Sequence, residues 1–175
     1  MEEAEVPLEH LHEEIHHQAE HGKERWMAWV ALSTALLAVL AAIAGLLSGS
    51  HVNEAMMNQI DSADQWAFYQ AKGIKAAVLE TRMSVSGAPS STDQAKLTKY
   101  AQEQSDIQRE AQQKKAEAER DFRQHEIFSR AVTLFQVAIA IAAISALTRR
   151  KRYWTVSLIL GALGCLFLLQ GFLAR

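Results

Sequence analysis

Two apolar stretches separated by a short basic segment constrain the fold of this 175-residue chain more than any other feature. Residues 131–148 and 153–174 contain no Asp, Glu, Lys or Arg, and they number 18 and 22 residues. A transmembrane helix needs about 20 residues, at 1.5 Å each, to cross about 30 Å of hydrocarbon. The pattern therefore predicts a membrane helical hairpin, with spans at residues 128–148 and 153–174.

A third apolar stretch near the N-terminal end predicts a further span at residues 26–49. Trp26 and Trp29 suit a membrane interface, where an indole ring is apolar and its N–H group meets water. A cleaved signal peptide is the alternative, because Ala42-Ile43-Ala44 resembles a cleavage site. The acidic segment before the span and the length of the apolar run favour an uncleaved anchor.

Residues 50–127 are rich in Gln, Glu, Lys and Ala, and a loop signal at residues 87–91 (GAPSS) divides them. We predict two helices, each about 50 Å long, packed as an antiparallel coiled-coil hairpin. The predicted fold is thus all-α, with three transmembrane helices and this hairpin inserted between the first and second spans. The predicted contact residues are Met56, Ile60, Ala63, Ala67, Ile74, Val78 and Val85 in the first helix and Leu97, Ile107, Ala111, Ala118 and Phe122 in the second.

Basic residues next to the spans predict how the chain crosses the membrane. Lys23 and Arg25 precede the first span. Short basic segments stay in the cytoplasm, whereas a segment as long as the hairpin is exempt from this rule. We therefore expect the N-terminus in the cytoplasm and both the hairpin and the C-terminus outside it. The turn between the last two spans holds the other determinants of this topology, Arg149, Arg150, Lys151 and Arg152.

Composition argues against several classes of function. The net charge of −2 indicates no nucleic-acid partner, and Cys165 is the single cysteine, so neither a disulfide framework nor a cysteine-based zinc site is expected. The span interiors lack ionisable residues, which disfavours proton relays and voltage sensors. Gln136 and Gln170 are left there, with several Ser and Thr residues, either for hydrogen bonds between helices or for the lining of a pore.

The leader, residues 1–25, is acidic and rich in histidine, and we expect a helix after Pro7 that loosens at Gly22. The stretch 12–16 (HEEIH) matches the H-E-x-x-H string of zinc proteases, but the leader offers neither a third ligand nor a substrate cleft. We predict no catalytic residue. Two histidine pairs one helical turn apart could instead hold Zn²⁺ or another divalent cation with nearby Glu, or could simply be solvated. These pairs are His12 with His16 and His17 with His21.

Two kinds of surface predict self-association or a protein partner. Small residues repeat every four positions in the first and second spans, which lets another helix, of the same chain or of another copy, approach closely. An aromatic face in the hairpin, with a glycine in mid-helix, indicates packing inside the hairpin or between hairpins, or else a docking surface for an unrelated protein. The predicted interface residues are Gly45, Gly49, Ala138 and Ala142 in the spans and Trp66, Tyr69 and Gly73 in the hairpin.

Three stretches of this sequence carry a resemblance to a known family. They are residues 9–13 (EHLHE) before the first span, residues 64–75 (DQWAFYQAKGIK) in the hairpin, and residues 147–150 (LTRR) ahead of Trp154. Over nearly its whole length the chain resembles the uncharacterised bacterial membrane proteins catalogued as domain of unknown function 4337. The resemblance implies a three-span bacterial membrane protein and supplies no catalytic residues.

These features predict a non-enzymatic protein of the inner (plasma) membrane that self-associates and presents its hairpin as an interaction or scaffold module. Its expected partners are membrane lipid, further copies of the chain and a protein bound at the hairpin. One alternative is an oligomeric channel or transport accessory subunit. Another is a metal-responsive membrane protein that uses the His-rich leader.

Overall fold

The computed structural model describes residues 8–87 and 90–173, with the backbone alone for residues 8–24. It consists of three α-helices: α1, Leu8–Ser86; α2, Ser91–Thr148; and α3, Lys151–Leu173. The described residues contain no strand. The prediction of an all-α fold is therefore confirmed, and each helix includes a stretch long and apolar enough to cross a membrane. This composition indicates that the protein associates with a membrane.

The great length of α1 follows from the positions of the two prolines. They stand at residues 7 and 89, one on each side of the 79-residue helix. Proline breaks helices because it lacks the N–H donor and clashes with the preceding turn, and no proline interrupts α1. At the C-terminal end of α1, Gly87 follows Ser86 with a left-handed backbone, φ of 68°, which is typical of the glycine that ends a helix. Gly22, where we expect a looser backbone, lies within the continuous helix.

The fold divides into two compact units, of which unit 1 comprises residues 1–46 and 127–175. Helix α2 supplies the centre of its core through side chains that are fully buried. Helix α3 meets them with residues spaced alternately four and three apart, which keeps them on one face of the helix. The core residues are Val30, Leu37 and Ala44 of α1; Phe128, Ala131, Phe135, Ala138 and Ala142 of α2; and Ser157, Gly161, Gly164, Leu168 and Gly171 of α3.

Unit 2 comprises residues 47–126 and contains parts of α1 and α2. Ser62 Oγ donates to the Ala111 carbonyl oxygen at 2.9 Å, and Lys72 Nζ donates to Glu103 at 2.6 Å. Further along α1, Arg82 donates to Asp93 at 2.7 Å. The residue numbers on α1 rise from 62 to 82 while those of their partners on α2 fall from 111 to 93. The contacts within this unit therefore run in opposite directions along the two helices.

The predicted contact residues on α1 are wrong, whereas three of those on α2 are confirmed. Ile107, Ala111 and Ala118 of α2 are buried. On α1 the buried positions are instead small or polar ones, Ser48, Ala55 and Ser62, because small side chains let the helices approach and hydroxyl groups bond to the facing backbone. All seven predicted α1 residues are exposed. We call this set the outer stripe: Met56, Ile60, Ala63, Ala67, Ile74, Val78 and Val85.

The basic turn between α2 and α3 is very short. Only Arg149 and Arg150 lie between the helices, and Arg149 adopts a left-handed backbone with φ of 52°. This conformation is common directly after a helix, although it costs a residue with a side chain about 1 kcal/mol more than glycine. The Arg150 carbonyl oxygen accepts bonds from Ser145 Oγ at 3.0 Å and from the Tyr153 amide at 3.3 Å. These two bonds fix the reversal of the chain.

Candidate functional site

The histidines of the leader lie where the structure describes the backbone alone. His12, His16, His17 and His21 all fall within α1, but their side chains are outside the described part of the chain. Metal binding by the leader therefore stays a prediction.

The small residues of the second span have a different role from the predicted one. Ala138 and Ala142 are fully buried inside unit 1, and the Ala138 carbonyl oxygen accepts a 2.7 Å bond from Ser157 of α3. They cannot also face another copy, so their prediction as interface residues is wrong. In the predicted first span, a Cβ placed on Gly45 would lie 4.0 Å from Val132 Cγ2, and one placed on Gly49 would have no neighbour within 4 Å. Those two glycines are still open to a partner.

The backbone of the α1 segment that carries the aromatic face contacts α2. Trp66 and Tyr69 meet edge to face, with ring centroids 5.5 Å apart. Gln104 of α2 donates its side-chain amide to the Tyr69 carbonyl oxygen at 3.3 Å, and the same nitrogen lies only 2.9 Å from the position of a Cβ on Gly73. Gly73 is thus the point where a side chain of α2 comes close to the α1 backbone. Tyr69 and Gly73 belong to a contact within the unit.

A charged group next to this contact joins the same two helices. Lys72 Nζ bonds Glu103 and also lies 5.1 Å from the Phe68 ring centroid and 5.6 Å from that of Tyr100. Cations are attracted to aromatic faces at such distances. The hydrogen bond from Lys72 lowers the pKa of the Glu103 carboxyl below its ordinary value. The group therefore acts as a charged contact between helices.

A second polar group, near the beginning of unit 2, holds the only described set of three potential metal ligands. His51 Nδ1 lies 3.4 Å from Asp121 Oδ1 and 3.8 Å from Glu54 Oε2. Asn58 Nδ2 donates to the other oxygen of Asp121 at 3.2 Å. Lys114 Nζ in turn donates to Asn58 Oδ1 at 3.3 Å. We call these five residues the polar cluster.

Ser48 and His125 bond each other beside the polar cluster. His125 Nδ1 lies 2.9 Å from Ser48 Oγ and 3.0 Å from the Ser48 carbonyl oxygen. A carbonyl oxygen can only accept, so Nδ1 carries the proton.

Sequence reasoning missed this polar region because it ranked residues by apolar periodicity. A usable signal was present: Ser48, His51, Ala55, Asn58 and Ser62 recur at steps of three and four.

An open groove adjoins the outer stripe. Its volume is about 550 Å³, and apolar side chains from both helices of unit 2 line most of it. The groove brings one end of the outer stripe next to Phe122 of α2, itself about half exposed. Unit 2 therefore presents a continuous apolar surface rather than scattered apolar residues. The apolar lining residues are Val52, Ala55, Met56, Ile60, Ala118 and Phe122.

The basic turn lies close to aromatic residues at the beginning of the first span. Lys151 Nζ is 5.9 Å from the Trp26 ring centroid, and Trp154 Nε1 donates to Ser33 Oγ at 3.1 Å. Trp154 therefore holds α3 against α1, while Trp29 is exposed. Of the predicted topology determinants, Arg149 and Arg150 form the turn, and Lys151 and Arg152 begin α3.

Comparison with known proteins agrees with the resemblance. No curated protein and no solved structure matches the chain. The family described as Domain of unknown function (DUF4337) matches residues 26–174, which include most of α1 and all the described residues of α2 and α3. The chain therefore belongs to the DUF4337 family.

Proposed function

We propose that this chain is a non-enzymatic protein of the bacterial inner membrane that self-associates and presents a helical hairpin as an interaction module. In this proposal residues 26–49, 128–148 and 153–174 are the spans, and residues 50–127 form the antiparallel coiled-coil hairpin. The observation that carries the proposal is the exposure of the outer stripe.

The outer stripe has the geometry of a helix-packing surface. Its five large residues are each between 59 and 82% exposed. The seven residues of the stripe recur at steps of three, four or seven, which places them on one face of α1. From Met56 to Val85 the stripe extends about 44 Å at 1.5 Å per residue. Soluble surfaces rarely expose so long an apolar strip, and such strips usually mark an interface.

A second copy of the chain is the partner that fits this surface best. Spans in one membrane give all copies the same orientation, so the outer stripes of neighbouring copies would run parallel. In a parallel coiled coil, a residue that flanks the apolar face of one helix lies opposite the residue five positions later on the partner helix. Gln59 would then face Asp64, and Trp66 would face Ala71. No like charges oppose each other at these positions, and burial of the stripe stabilises the pair by about 25 cal/mol per Å² of apolar area.

Unit 1, which contains the proposed spans, provides separate support for self-association. Gln136 and Gln170 are exposed on α2 and α3, within stretches that are otherwise apolar. A carboxamide group facing lipid lacks hydrogen-bond partners, and a neighbouring helix can supply them. The same two residues favour the channel alternative, in which they would line a pore between copies. Ion flux through liposomes containing the protein separates these functions, because a scaffold should conduct no ions.

The mass of the complex in nanodiscs tests the proposal. The wild type should exceed the 19.5 kDa of a single chain. Replacement of Ile60 and Ile74 by Gln should weaken self-association at least tenfold for each residue, because burial of an Ile side chain is worth about 1.5–3 kcal/mol. The matched control replaces Ala101 and Ala116 by Gln, since both are exposed on α2.

The control variant should associate like the wild type. A wild-type protein with the mass of one chain would contradict self-association. An oligomer that persists unchanged in the Ile60→Gln, Ile74→Gln variant would show that the outer stripe is not its interface.

A further inference from the structure

We infer that His51, Glu54 and Asp121 form a binding site for a divalent transition-metal cation of the zinc class. The three residues offer one imidazole nitrogen and two carboxylate oxygens, and these atoms all lie within 4.8 Å of one another. Imidazole and carboxylate ligands suit Zn²⁺. This site lies in unit 2 and is separate from the histidines of the leader.

The distances fit a shared cation better than a direct hydrogen bond. A tetrahedral Zn²⁺ with ligands at about 2.0–2.1 Å places neighbouring ligand atoms about 3.4 Å apart. The distances from His51 Nδ1 are 3.4 Å to Asp121 and 3.8 Å to Glu54. A hydrogen bond to a carboxylate is normally shorter than 3.2 Å. The two carboxylate oxygens therefore lie within about 0.4 Å of the separation from His51 that the cation requires.

A second layer of contacts orients the ligands. Asn58 donates to Asp121 Oδ2, which leaves Oδ1 directed towards His51. Lys114 holds the Asn58 oxygen and so fixes which end of the amide faces Asp121. Such outer contacts are typical of metal sites, where they set the direction of the ligating atom.

The exposed Glu54 side chain makes the site accessible to a cation from solvent. The His51 and Asp121 side chains are mostly covered, at 15 and 21% exposure, whereas that of Glu54 is 59% exposed. With three protein ligands, a fourth position is left for water or for a group from another molecule. His51 and Glu54 lie on α1 and Asp121 on α2, so a bound cation would tie the two helices together.

Calorimetric titration of the full-length protein with Zn²⁺ tests the site without interference from the leader. The titrated protein carries Gln at positions 10, 12, 16, 17 and 21, which replaces every histidine of the leader, so that binding at a histidine arises elsewhere. We expect one Zn²⁺ per chain. Glu54→Gln should weaken binding at least tenfold and His51→Gln should abolish it. Asn58→Leu should weaken it about tenfold, as is usual for the loss of an outer contact.

Two controls keep the result interpretable. Asp61→Asn removes an exposed carboxylate on the same helix outside the site, and it should bind Zn²⁺ like its parent. Because the Glu54 side chain is largely exposed, Glu54→Gln should retain the parent's helical circular dichroism. Co²⁺ should give a visible absorption band that the same variant loses. Absence of Zn²⁺ binding to the leader-substituted protein, or equal affinity in the parent and Glu54→Gln, would overturn the inference.

Discussion

At the scale of single residues, glycine decides how closely α3 packs in unit 1. A Cβ on Gly171 would lie 2.5 Å from Phe128 Cε1, and one on Gly164 would lie 2.7 Å from Phe135 Cε1. Both rings are buried, and Phe128 also meets Phe172 edge to face with centroids 5.8 Å apart. Each ring therefore fills the space that a side chain on α3 would take. Close packing of this kind replaces the hydrophobic effect as the force between helices in lipid.

Gly171→Ala should destabilise the protein by about 1–3 kcal/mol, the usual cost of an added methyl group in a filled core. Loss of folded protein on heating in detergent, followed by gel filtration, measures the effect. Gly49→Ala is the matched control, because its Cβ would have no neighbour within 4 Å. It should be neutral or stabilise α1 by up to about 1 kcal/mol, since alanine favours helix more than glycine. Equal losses in both variants would contradict the packing role of Gly171.

The glycines of α3 follow a regular spacing in the sequence. The residues Ser157, Gly161, Gly164, Leu168 and Gly171 alternate steps of four and three, and all are buried. A strict repeat every four positions instead selects small residues on α1 and α2. Of those, Ala138 and Ala142 proved to be core residues, because in a three-helix unit the smallest side chains are needed where the helices are closest. Spacing alone does not distinguish an internal small face from an external one.

At the scale of helices, unit 2 is held by polar as well as apolar contacts. Lys72 and Glu103 are the clearest pair, at 2.6 Å and partly covered, with Lys72 also near two aromatic rings. A carboxyl whose pKa falls on folding stabilises the folded state above its unfolded pKa. That stabilisation is lost as the pH falls through the lower folded value. For Glu103 the ordinary value is 4.5, so the loss occurs below that pH.

Glu103→Gln should therefore lower the melting temperature modestly at pH 7, and its difference from the wild type should shrink as the pH falls below 4.5. Thermal melts followed by circular dichroism across this range measure the difference. Glu110→Gln changes an exposed carboxylate on the same helix and should follow the wild type at every pH. A difference between Glu103→Gln and wild type that does not depend on pH would exclude the ionised pair as its source.

The two faces of α1 explain why its helix could be predicted but its contact with α2 could not. One face carries the outer stripe with its large apolar residues. A different face carries Ser48, Ala55 and Ser62, whose small size allows close approach. Apolar periodicity selects the larger side chains, so it chose the exposed face. Apolar periodicity does not identify the polar cluster either. Its residues His51 and Asp121 are 70 positions apart, and only the fold brings them together.

At the scale of the whole molecule, the absence of charged residues and of helix-breaking residues predicted the helices and candidate spans most reliably. Apolar stretches of about 20 residues located all three candidate spans. Composition changes along α1 predicted boundaries between leader, span and hairpin, yet polarity can change without any break in the backbone. The two prolines and Gly87, which follows Ser86 with φ of 68°, bear on where this helix ends. The side of the membrane on which each segment lies stays a prediction, carried by the basic residues.

Labelling of single cysteines tests that topology. In a Cys165→Ser background, Ser91→Cys lies at the beginning of α2 and is exposed, and Gln18→Cys lies in the leader. If the basic turn stays in the cytoplasm, a membrane-impermeant maleimide should label position 91 in intact spheroplasts. It should label position 18 only after permeabilisation, which serves as the control for reactivity. Protection of position 91 in intact spheroplasts would contradict the proposed orientation.

Replacement of the four basic residues of the turn by Gln should make the orientation mixed in the same labelling experiment, because these residues supply most of the positive charge that holds the short turn inside. The four residues are Arg149, Arg150, Lys151 and Arg152.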